Sequence, residues 1–596
     1  MGMSDAILKD MDVLVLDCQA TQNNPDRGFL LELGWSTIKA SDDIDTESLS
    51  GRVETHLIRI PDGRTIPHAV RRVTGLSDAD FLSAIDEEKV WFGLSEAAIR
   101  VAKSNHSNLC PTVIHYARYE APLLHKLHAS YGEGGRNRDH FPFDITCTHE
   151  IINNLLPHLP RKSLRAIAGY FGFSVPENRR CLHHVMATAA IWRHALNILE
   201  EDYGIKTYDE MRQWLDRIRR SPKTGRSRKQ YPLNPELRLG LPDVPGVYRM
   251  LRSNGDAVYV GKAKSLKHRV NSYFQKRRHD QEHLPEMLTQ VSRVDVSVTN
   301  TALEAALLES DEIKRLSPAY NRALRAKGRA PVFYSKNFER YAHSPSYHFS
   351  TGPLPNRDAL KPVYLLGQAL RQEQQVQPDP ETAAASLGIP ALYAPEPDLY
   401  IAGLQSFRQK YARVLDRCAS LWESAVPVLG RMLWLERLED ESKDDATEEK
   451  EGHEDNGAAH DRVWTSDTVL HAVENVISRS AHLIRRSRWL CILSESTLAW
   501  DRNGSEQDEK NVMVFNGGNV ILCKTQSPEE EIPVPPGYGQ TVMLRKSSFD
   551  LMTYDRMRVL MSEIKRIITE GRDIHLRLRP NVTLQRGSLA EILLWL

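Results

Sequence analysis

Pro245-Gly246-Val247-Tyr248-Arg249-Met250-Leu251, then Ser253-Asn254-Gly255-Asp256, then Val258-Tyr259-Val260-Gly261, is the stretch on which the reading of this chain turns. Asn-Gly between two runs of β-branched and aromatic residues predicts a β-hairpin, because Asn and Gly tolerate the positive φ that a tight hairpin turn needs. The second run leads into Lys262-Ala263-Lys264-Ser265-Leu266-Lys267-His268-Arg269, followed by Val270, Tyr273 and Phe274. Helical spacing there would bring Lys262 and Arg269 near one another, two turns apart. Downstream, Leu303 to Glu309 reads as an apolar helix that ends in Ile313-Lys314 and is followed by Pro318-Ala319-Tyr320-Asn321.

These segments resemble the GIY-YIG nuclease family, with Gly246-Val247-Tyr248 and Tyr259-Val260-Gly261 standing for the two motifs of its name. Within that family the text is similar to the amino-terminal domain of UvrC and to the shorter Cho-type excision nucleases. The resemblance covers roughly residues 240 to 327 and includes PGVYRML, YVGKAKSLKHRVNSYF and ALLESDEIKRLSPAYN. It implies a small α/β domain that hydrolyses DNA phosphodiesters with one divalent ion. Such chemistry needs a nucleophilic water, neutralisation of the phosphoryl oxygens and help for the leaving oxygen. In the roles the resemblance implies, Glu309 gives Mg²⁺ or Mn²⁺ its carboxylate, Tyr259 is the general base and Arg269 braces the scissile phosphate with its fork. Tyr248, Lys262 and Asn321 would position the same group, and Lys264 and Lys267 would bind DNA. Taken singly, the tyrosines also suit half-buried strand positions and Glu309 a solvated helix face.

A chain of 596 residues is too long for one core and implies roughly three or four domains. Its 78 basic and 78 acidic residues balance, so bulk charge advertises no nucleic-acid partner. Local charge is uneven. RQWLDRIRRSPKTGRSRK at 212–229 is nearly all basic among its charges and overlaps TYDEMRQWLDRI, which reads as an aromatic helix piece; no acid occurs from Lys262 to Arg278, and Glu439 to Asp455 is acidic. Basic segments beside a nuclease motif are what phosphate binding requires, although a solvated linker has the same composition. The cysteines, at 18, 110, 147, 181, 418, 491 and 523, form no CxxC pair or zinc-type cluster, which argues against a disulfide scaffold and for a reducing, cytoplasmic setting. Neither a signal segment nor a membrane span is expected.

At the amino end, Val13-Leu14-Val15-Leu16 reads as a buried strand entering Asp17-Cys18-Gln19, and Phe29 to Ile38 as its partner. Val113-Ile114-His115 then passes from a strand into a helix containing Glu120. Asp144–Leu156 reads as a helix, and a further helix starts near Ser163. The order of these pieces resembles the DnaQ-like (DEDD) exonuclease superfamily over roughly residues 11 to 198. That resemblance implies an RNase H-like mixed sheet with helices and a site of two metals, four acids and a histidine base. The motifs depart from that pattern. Gln19 replaces a carboxylate of the first motif and Glu120 stands for an aspartate. Anchoring on Ala187-Thr188-Ala189 puts Arg179 where the base is expected and His184 where the last acid is expected. Asp17, Gln19, Glu120, Arg179 and His184 thus form a degenerate exonuclease-type site, whose donors suit a single softer ion such as Mn²⁺ or Zn²⁺ better than a magnesium pair.

The expected organisation is a multidomain α/β chain: residues 1–205 DnaQ-like, 206–238 a basic linker, 239–327 the GIY-YIG domain, 328–438 mainly helical, 439–462 an acidic disordered linker, and 463–596 a small α/β domain of unknown role. Residues 352–360 are similar to the glycine-proline segment that follows the GIY-YIG domain in UvrC-like chains. Leu404, Phe407, Tyr411 and Leu415 have core spacing. The last domain should contain a helix from Thr465 to Ile484, a strand from Trp489 to Trp500, a hairpin at 512–523, and a helix from Phe549 to Thr569 capped by Ser548 and stopped by Gly571. The paired helix-hairpin-helix signals, second nuclease half and UvrB-docking helices of full-length UvrC are not recognisable. The reading is a DNA endonuclease making one metal-dependent repair incision, with DNA and a UvrB-like loading protein as partners. The alternatives are a 3′-to-5′ exonuclease led by the first domain and a DNA-binding scaffold.

Overall fold

The computed structural model describes residues 6–594 apart from 23, 25, 42–45, 133–140, 221–228, 276–282, 327, 372–378, 419–421, 445–462, 503–508, 538–548 and 580–581. The chain forms two compact units, residues 1–305 with 316–321 and residues 306–315 with 322–596.

In the first unit β1 (Asp12–Ala20) pairs antiparallel with β2 (Leu30–Lys39), and β2 with β3 (Glu54–Leu57). On its other side β1 runs parallel to β4 (Cys110–Ile114), which is parallel to β5 (Phe143–Cys147). The order β3-β2-β1-β4-β5 is the mixed sheet that the amino-terminal text leads one to expect. A central strand covered on both faces has no need of polar alternation. Accordingly Val13 and Val15 of β1 enter one core with Ile152 and Val185, while Leu14 and Leu16 enter another with Trp35 and Leu94. Helices α1 (Glu87–Ser104), α2 (Ala117–Tyr131), α3 (Thr148–Leu155), α4 (Leu164–Tyr170) and α5 (Cys181–Tyr203) belong to this fold.

Two expectations here need correction. Asp144–Leu156 is not one helix: its first residues lie in β5, whose aromatic and β-branched text suits the parallel pairing with β4, and α3 follows. Nor is 206–238 a free tether. Its first part is α6 (Tyr208–Arg220), which buries Tyr208, Met211, Trp214 and Leu215. Tyr208 donates to Asp144 at 2.6 Å and Arg212 pairs with the same carboxylate at 2.7 Å. Apolar positions at i, i+3 and i+7 gave this segment a face to dock. Residues 221–228 lie outside the described residues.

The same unit contains β6 (Gly246–Leu251), β7 (Ala257–Ala263) and β8 (Arg293–Val298), antiparallel in the order β7-β6-β8. The predicted hairpin joins β6 to β7, with Gly255 at φ 91° and the Asn254 side chain accepting from the Asp256 amide at 3.0 Å. Lys262 belongs to β7, opposite Val247, so the expected helical pairing of Lys262 with Arg269 is wrong. The helix, α7 (Leu266–Ser272), starts only after Ser265 caps it by accepting from the His268 amide. α8 (His283–Thr289) and α9 (Ala302–Leu316) follow, and Lys314 falls inside α9.

The second unit includes part of α9 and a small sheet of β9 (Val332–Ser335), β10 (Tyr341–Ala342) and β11 (Phe349–Leu354), ordered β10-β9-β11. The expectation of a mainly helical 328–438 therefore overlooked a sheet, whose strands are short and interrupted by Ser and Pro. Helices α10 (Pro397–Lys410), α11 (Trp422–Asp444) and α12 (Ser466–Leu493) pack with it, and Leu404, Phe407 and Tyr411 are core residues. α11 continues into the segment expected to be an acidic linker, of which 445–462 lie outside the described residues. Trp489 is helical too. α12 extends to Leu493 because Leu490 and Cys491 continue its buried face, and the strand is β12 (Ser496–Asp501).

β12 joins β13 (Lys510–Asn516), β14 (Asn519–Gln526), β15 (Ile574–Leu578) and β16 (Val582–Gln585) in an antiparallel sheet ordered β14-β13-β12-β15-β16. The last patterned helix is α13 (Leu551–Thr569). Its cap is Asp550, which accepts from the Thr553 amide at 2.8 Å; Ser548 lies outside the described residues. Gly571 does follow the helix with φ 80°. No helix among the described residues is long and apolar enough to cross a membrane.

Candidate active site

Register explains the two glycine-tyrosine motifs. Tyr248 of β6 is fully buried and faces Gly261 of β7. A Cβ at Gly261 would overlap the Tyr248 phenol and come within 2.9 Å of the Tyr259 ring, so the absent side chain makes room for both tyrosines. Gly246 has a similar task, since a Cβ there would meet the Ser297 carbonyl and come within 2.8 Å of Leu266.

Three tyrosines converge in the space this creates. The hydroxyls of Tyr248 and Tyr273 are 2.7 Å apart, and the ring of Tyr259 lies 6.2 Å from that of Tyr248 and 6.1 Å from that of Tyr273. The Arg269 guanidinium stands 5.1 Å from the centre of the Tyr273 ring. Burial, and then the neighbouring tyrosines, push the Tyr248 hydroxyl well above its ordinary pKa, so it keeps its proton. Burial opposes the charge of Arg269, but Tyr248 and Tyr273 more than compensate, and its pKa is raised. Tyr259 is half-buried, whereas Tyr248 and Tyr273 are buried. Tyr273 was not among the expected site residues. Its position one helical turn after Arg269 was the available signal.

Lys262, Lys264 and Lys267 are exposed on β7, after it and on α7. Asn321 is 6% exposed and holds the backbone of Val260 from both sides, accepting its N–H at 2.9 Å and donating to its carbonyl at 2.8 Å. Its amide is therefore engaged with the strand that carries Tyr259, instead of reaching for phosphate as expected. Glu309 is a half-exposed residue in the middle of α9, in the portion belonging to the second unit.

In the amino-terminal domain, four of the five expected residues do gather. Asp17 is 5% exposed; Gln19 donates to its Oδ2 at 2.7 Å and His184 Nδ1 lies 3.1 Å from its Oδ1. Glu120 is buried alongside and accepts from the Cys18 amide at 3.2 Å. Its carboxyl is pushed well above the ordinary range, first by burial and then by Asp17. The neighbouring His115 is driven down to about 3 by burial and stays neutral. Arg179 is not brought to the cluster: it is exposed, and its amide donates to the Val73 carbonyl. With both Asp17 oxygens engaged, Gln19 uncharged and Glu120 the second carboxylate of the set, the donors do not fit a pair of divalent ions. Among the described residues no group of three or more His, Cys, Asp or Glu is arranged to hold a metal.

Comparison with known proteins agrees on one part of the chain. The UvrABC system protein C of Psychrobacter cryohalolentis is 41% identical over 145 residues, which are 23% of this chain and 23% of that protein. The matched stretch is thus about a quarter of the relative's length. Among solved structures, the GIY-YIG amino-terminal endonuclease domain of UvrC from Thermotoga maritima, bound to magnesium, is 31% identical, covers 14% of this chain and 92% of that one, and has a TM-score of 0.13. The E. coli ExoI–ssDNA complex is 9% identical, covers 40% of this chain and 48% of that one, and has a TM-score of 0.27, too remote to speak to activity. The family profile described as the UvrC-like GIY-YIG domain matches residues 244–322. Residues 244–322 are accordingly a UvrC-like GIY-YIG domain.

Proposed function

We propose that the chain is a metal-dependent DNA endonuclease that makes a single incision in excision-type DNA repair. The observation that carries this reading is the grouping of Tyr248, Tyr259, Tyr273 and Arg269 on a hairpin and helix inside the matched domain. Tyr259, ionised to its phenolate, takes a proton from the attacking water, and Arg269, stacked on Tyr273, braces the phosphate. Tyr248 keeps its proton and fixes that arrangement, while Asn321 fixes β7. The exposed Lys262, Lys264 and Lys267 neutralise the DNA backbone.

Glu309 is the residue that would hold Mg²⁺ or Mn²⁺. One half-exposed carboxylate suits a magnesium ion, which retains most of its water and takes one or two carboxylates. When bound, the ion supplies charge to offset the developing phosphoryl and leaving-group oxygens. In this reading the amino-terminal domain serves DNA or partner engagement, the exonuclease-type site being occupied by its own side chains. The partners are DNA and a damage-loading protein of the UvrB kind, consistent with the name of the UvrABC relative, and the setting is the cytoplasm.

The test is incubation of end-labelled intact, lesion-bearing and branched DNA with Mg²⁺ or Mn²⁺ and either the full chain or Glu309→Gln. A discrete nick from the wild type, lost in the variant with DNA binding retained, is expected. Mononucleotides would support an exonuclease, and a shifted but uncut substrate a scaffold. Nicking by Glu309→Gln at the wild-type rate would remove the metal assignment.

A further inference from the structure

Inside the first unit, the amino-terminal domain and the GIY-YIG domain meet at a polar knot centred on Glu286 of α8. Its Oε1 accepts from the Tyr320 hydroxyl at 2.7 Å and from Arg165 Nη1 at 3.3 Å. Its Oε2 accepts from the hydroxyl of Ser163, the N-cap of α4, at 2.9 Å. The Arg165 guanidinium also lies 4.7 Å from the centre of the Tyr320 ring. Gln290, just beyond α8, donates to the Tyr320 hydroxyl at 2.6 Å and accepts from Arg252 Nε and Nη2 at 3.1 and 3.0 Å. Tyr320 thus donates to a carboxylate and accepts from an amide, and burial, then Glu286, hold its pKa up.

What this knot holds is the strand of the candidate base. The Tyr320 amide donates to the Val258 carbonyl at 3.0 Å, and the next residue, Asn321, clamps Val260. Val258 and Val260 flank Tyr259. The path from α4 to Tyr259 is therefore unbroken: Ser163 and Arg165, Glu286, Tyr320 with Asn321, then β7.

The fit of the two domains also depends on a glycine. A Cβ at Gly169 of α4 would lie 2.7 Å from Gln290 Cγ and overlap the end of that side chain. α4 approaches α8 this closely only because position 169 has no side chain.

We propose that Ser163 and Arg165 of the amino-terminal domain are positioning residues for Tyr259, acting through Glu286 and Tyr320, so that this domain is an internal brace of the nuclease site. The inference rests on the nuclease reading above. A side chain displaced by even an ångström in such a site costs a large part of the rate.

The experiment uses the full chain and measures the single-turnover nicking rate at saturating DNA, the half-saturating DNA concentration and the melting temperature. Gly169→Ala evicts Gln290 while helix propensity favours the new residue. Arg165→Met removes the charged clasp, and Tyr320→Phe keeps the ring but not the hydroxyl. Each should lower the rate at saturation by about ten- to a hundred-fold, with the half-saturating DNA concentration unchanged and the chain folded at the assay temperature. Arg165→Lys should recover part of the rate, since it restores a cation beside Glu286. Wild-type rates in all three variants would overturn the brace, and so would losses confined to DNA affinity or to melting. Absence of any nick from the wild-type chain would overturn the nuclease reading and the brace together, whereas normal nicking by the variants overturns the brace alone.

Discussion

Lys314 Nζ lies 3.1 Å from Asp555 Oδ2, with the lysine side chain 7% exposed and the aspartate fully buried. Arg329 forks onto the same carboxylate at 2.6 and 2.9 Å, and Arg556, the next residue of α13, reaches Asp311 at 2.8 Å. Lys314 and Asp311 belong to α9, which also carries Glu309, so α13 grips the helix that holds the proposed metal ligand. Burial pushes the Lys314 pKa down while Asp555 opposes that shift. Buried charges are tolerated when paired, and removing one partner strands the other.

Asp555→Ala should therefore cost about 3 kcal/mol or more, because it leaves Lys314 and Arg329 without their shared carboxylate. Urea unfolding followed by tryptophan fluorescence would read this. A midpoint equal to the wild type would show that the cluster contributes nothing to holding α9.

Substitutions around the tyrosines separate chemistry from support. Tyr259→Phe and Arg269→Ala should each slow single-turnover nicking by roughly two to four orders of magnitude, the scale of losing a general base or a charge-stabilising donor. Tyr248→Phe should cost less, since its hydroxyl contacts Tyr273. Equal and small effects from all three would mean that the tyrosines are ordinary strand residues and that none of the three takes part in the reaction.

Gly261→Ala tests the register argument. The new methyl group must occupy the place of the Tyr248 phenol in a fully buried pair, and overpacking of this kind costs about 1–3 kcal/mol. The variant should melt at a lower temperature and lose most of its nicking. Double substitution with Tyr248→Phe should recover part of the stability. A Gly261→Ala chain that melts and cuts like the wild type would contradict the close approach.

The hairpin of β6 and β7 and the apolar stripe of α13 were legible because both are local patterns, a turn dipeptide between strands and a helical period. What Gly261 does was not, since its meaning depends on which residue stands across the sheet. Trp489 to Leu493 was ambiguous because a short apolar run fits a strand or the end of a buried helix equally well. The helical character of α6 was legible in its own text, but its docking was not, because the buried Tyr208, Met211 and Trp214 lie on one narrow face of a largely polar segment. The departures Gln19 and His184 could be read from sequence. That they occupy the two oxygens of Asp17 could not. Glu286 bonds Ser163 and Arg165, more than a hundred positions away, which no local pattern records.

Glu120 gives a pH-dependent prediction. Its folded pKa is raised above the ordinary 4.5 by burial and by Asp17, so the folded chain binds a proton more tightly than the unfolded chain does. A carboxyl shifted upward adds no penalty below its unfolded pKa, and it destabilises the fold progressively as pH rises from that value towards the folded one. Glu120→Gln should accordingly raise the melting temperature near neutral pH, and the gain should shrink as pH falls below about 5. A gain that is the same at pH 4 and pH 7 would mean that Glu120 is not the group held neutral by the fold.

The amino-terminal cluster should not hydrolyse DNA by a two-metal route. Gln19 brings no charge, the oxygens of Asp17 already face Gln19 and His184, and Arg179 is exposed and cannot serve as a base at neutral pH. In the full chain bearing Glu309→Gln, which silences the proposed incision site, no mononucleotides should be released from a 3′-labelled strand with Mg²⁺ or Mn²⁺. Combining Gln19→Glu with His184→Asp in that background tests whether the fold can still support such a site once its carboxylates are restored. Metal-dependent 3′ trimming by Glu309→Gln alone, abolished by Asp17→Ala, would show that the cluster is active as it stands and that Asp17 exchanges its internal partners for a metal.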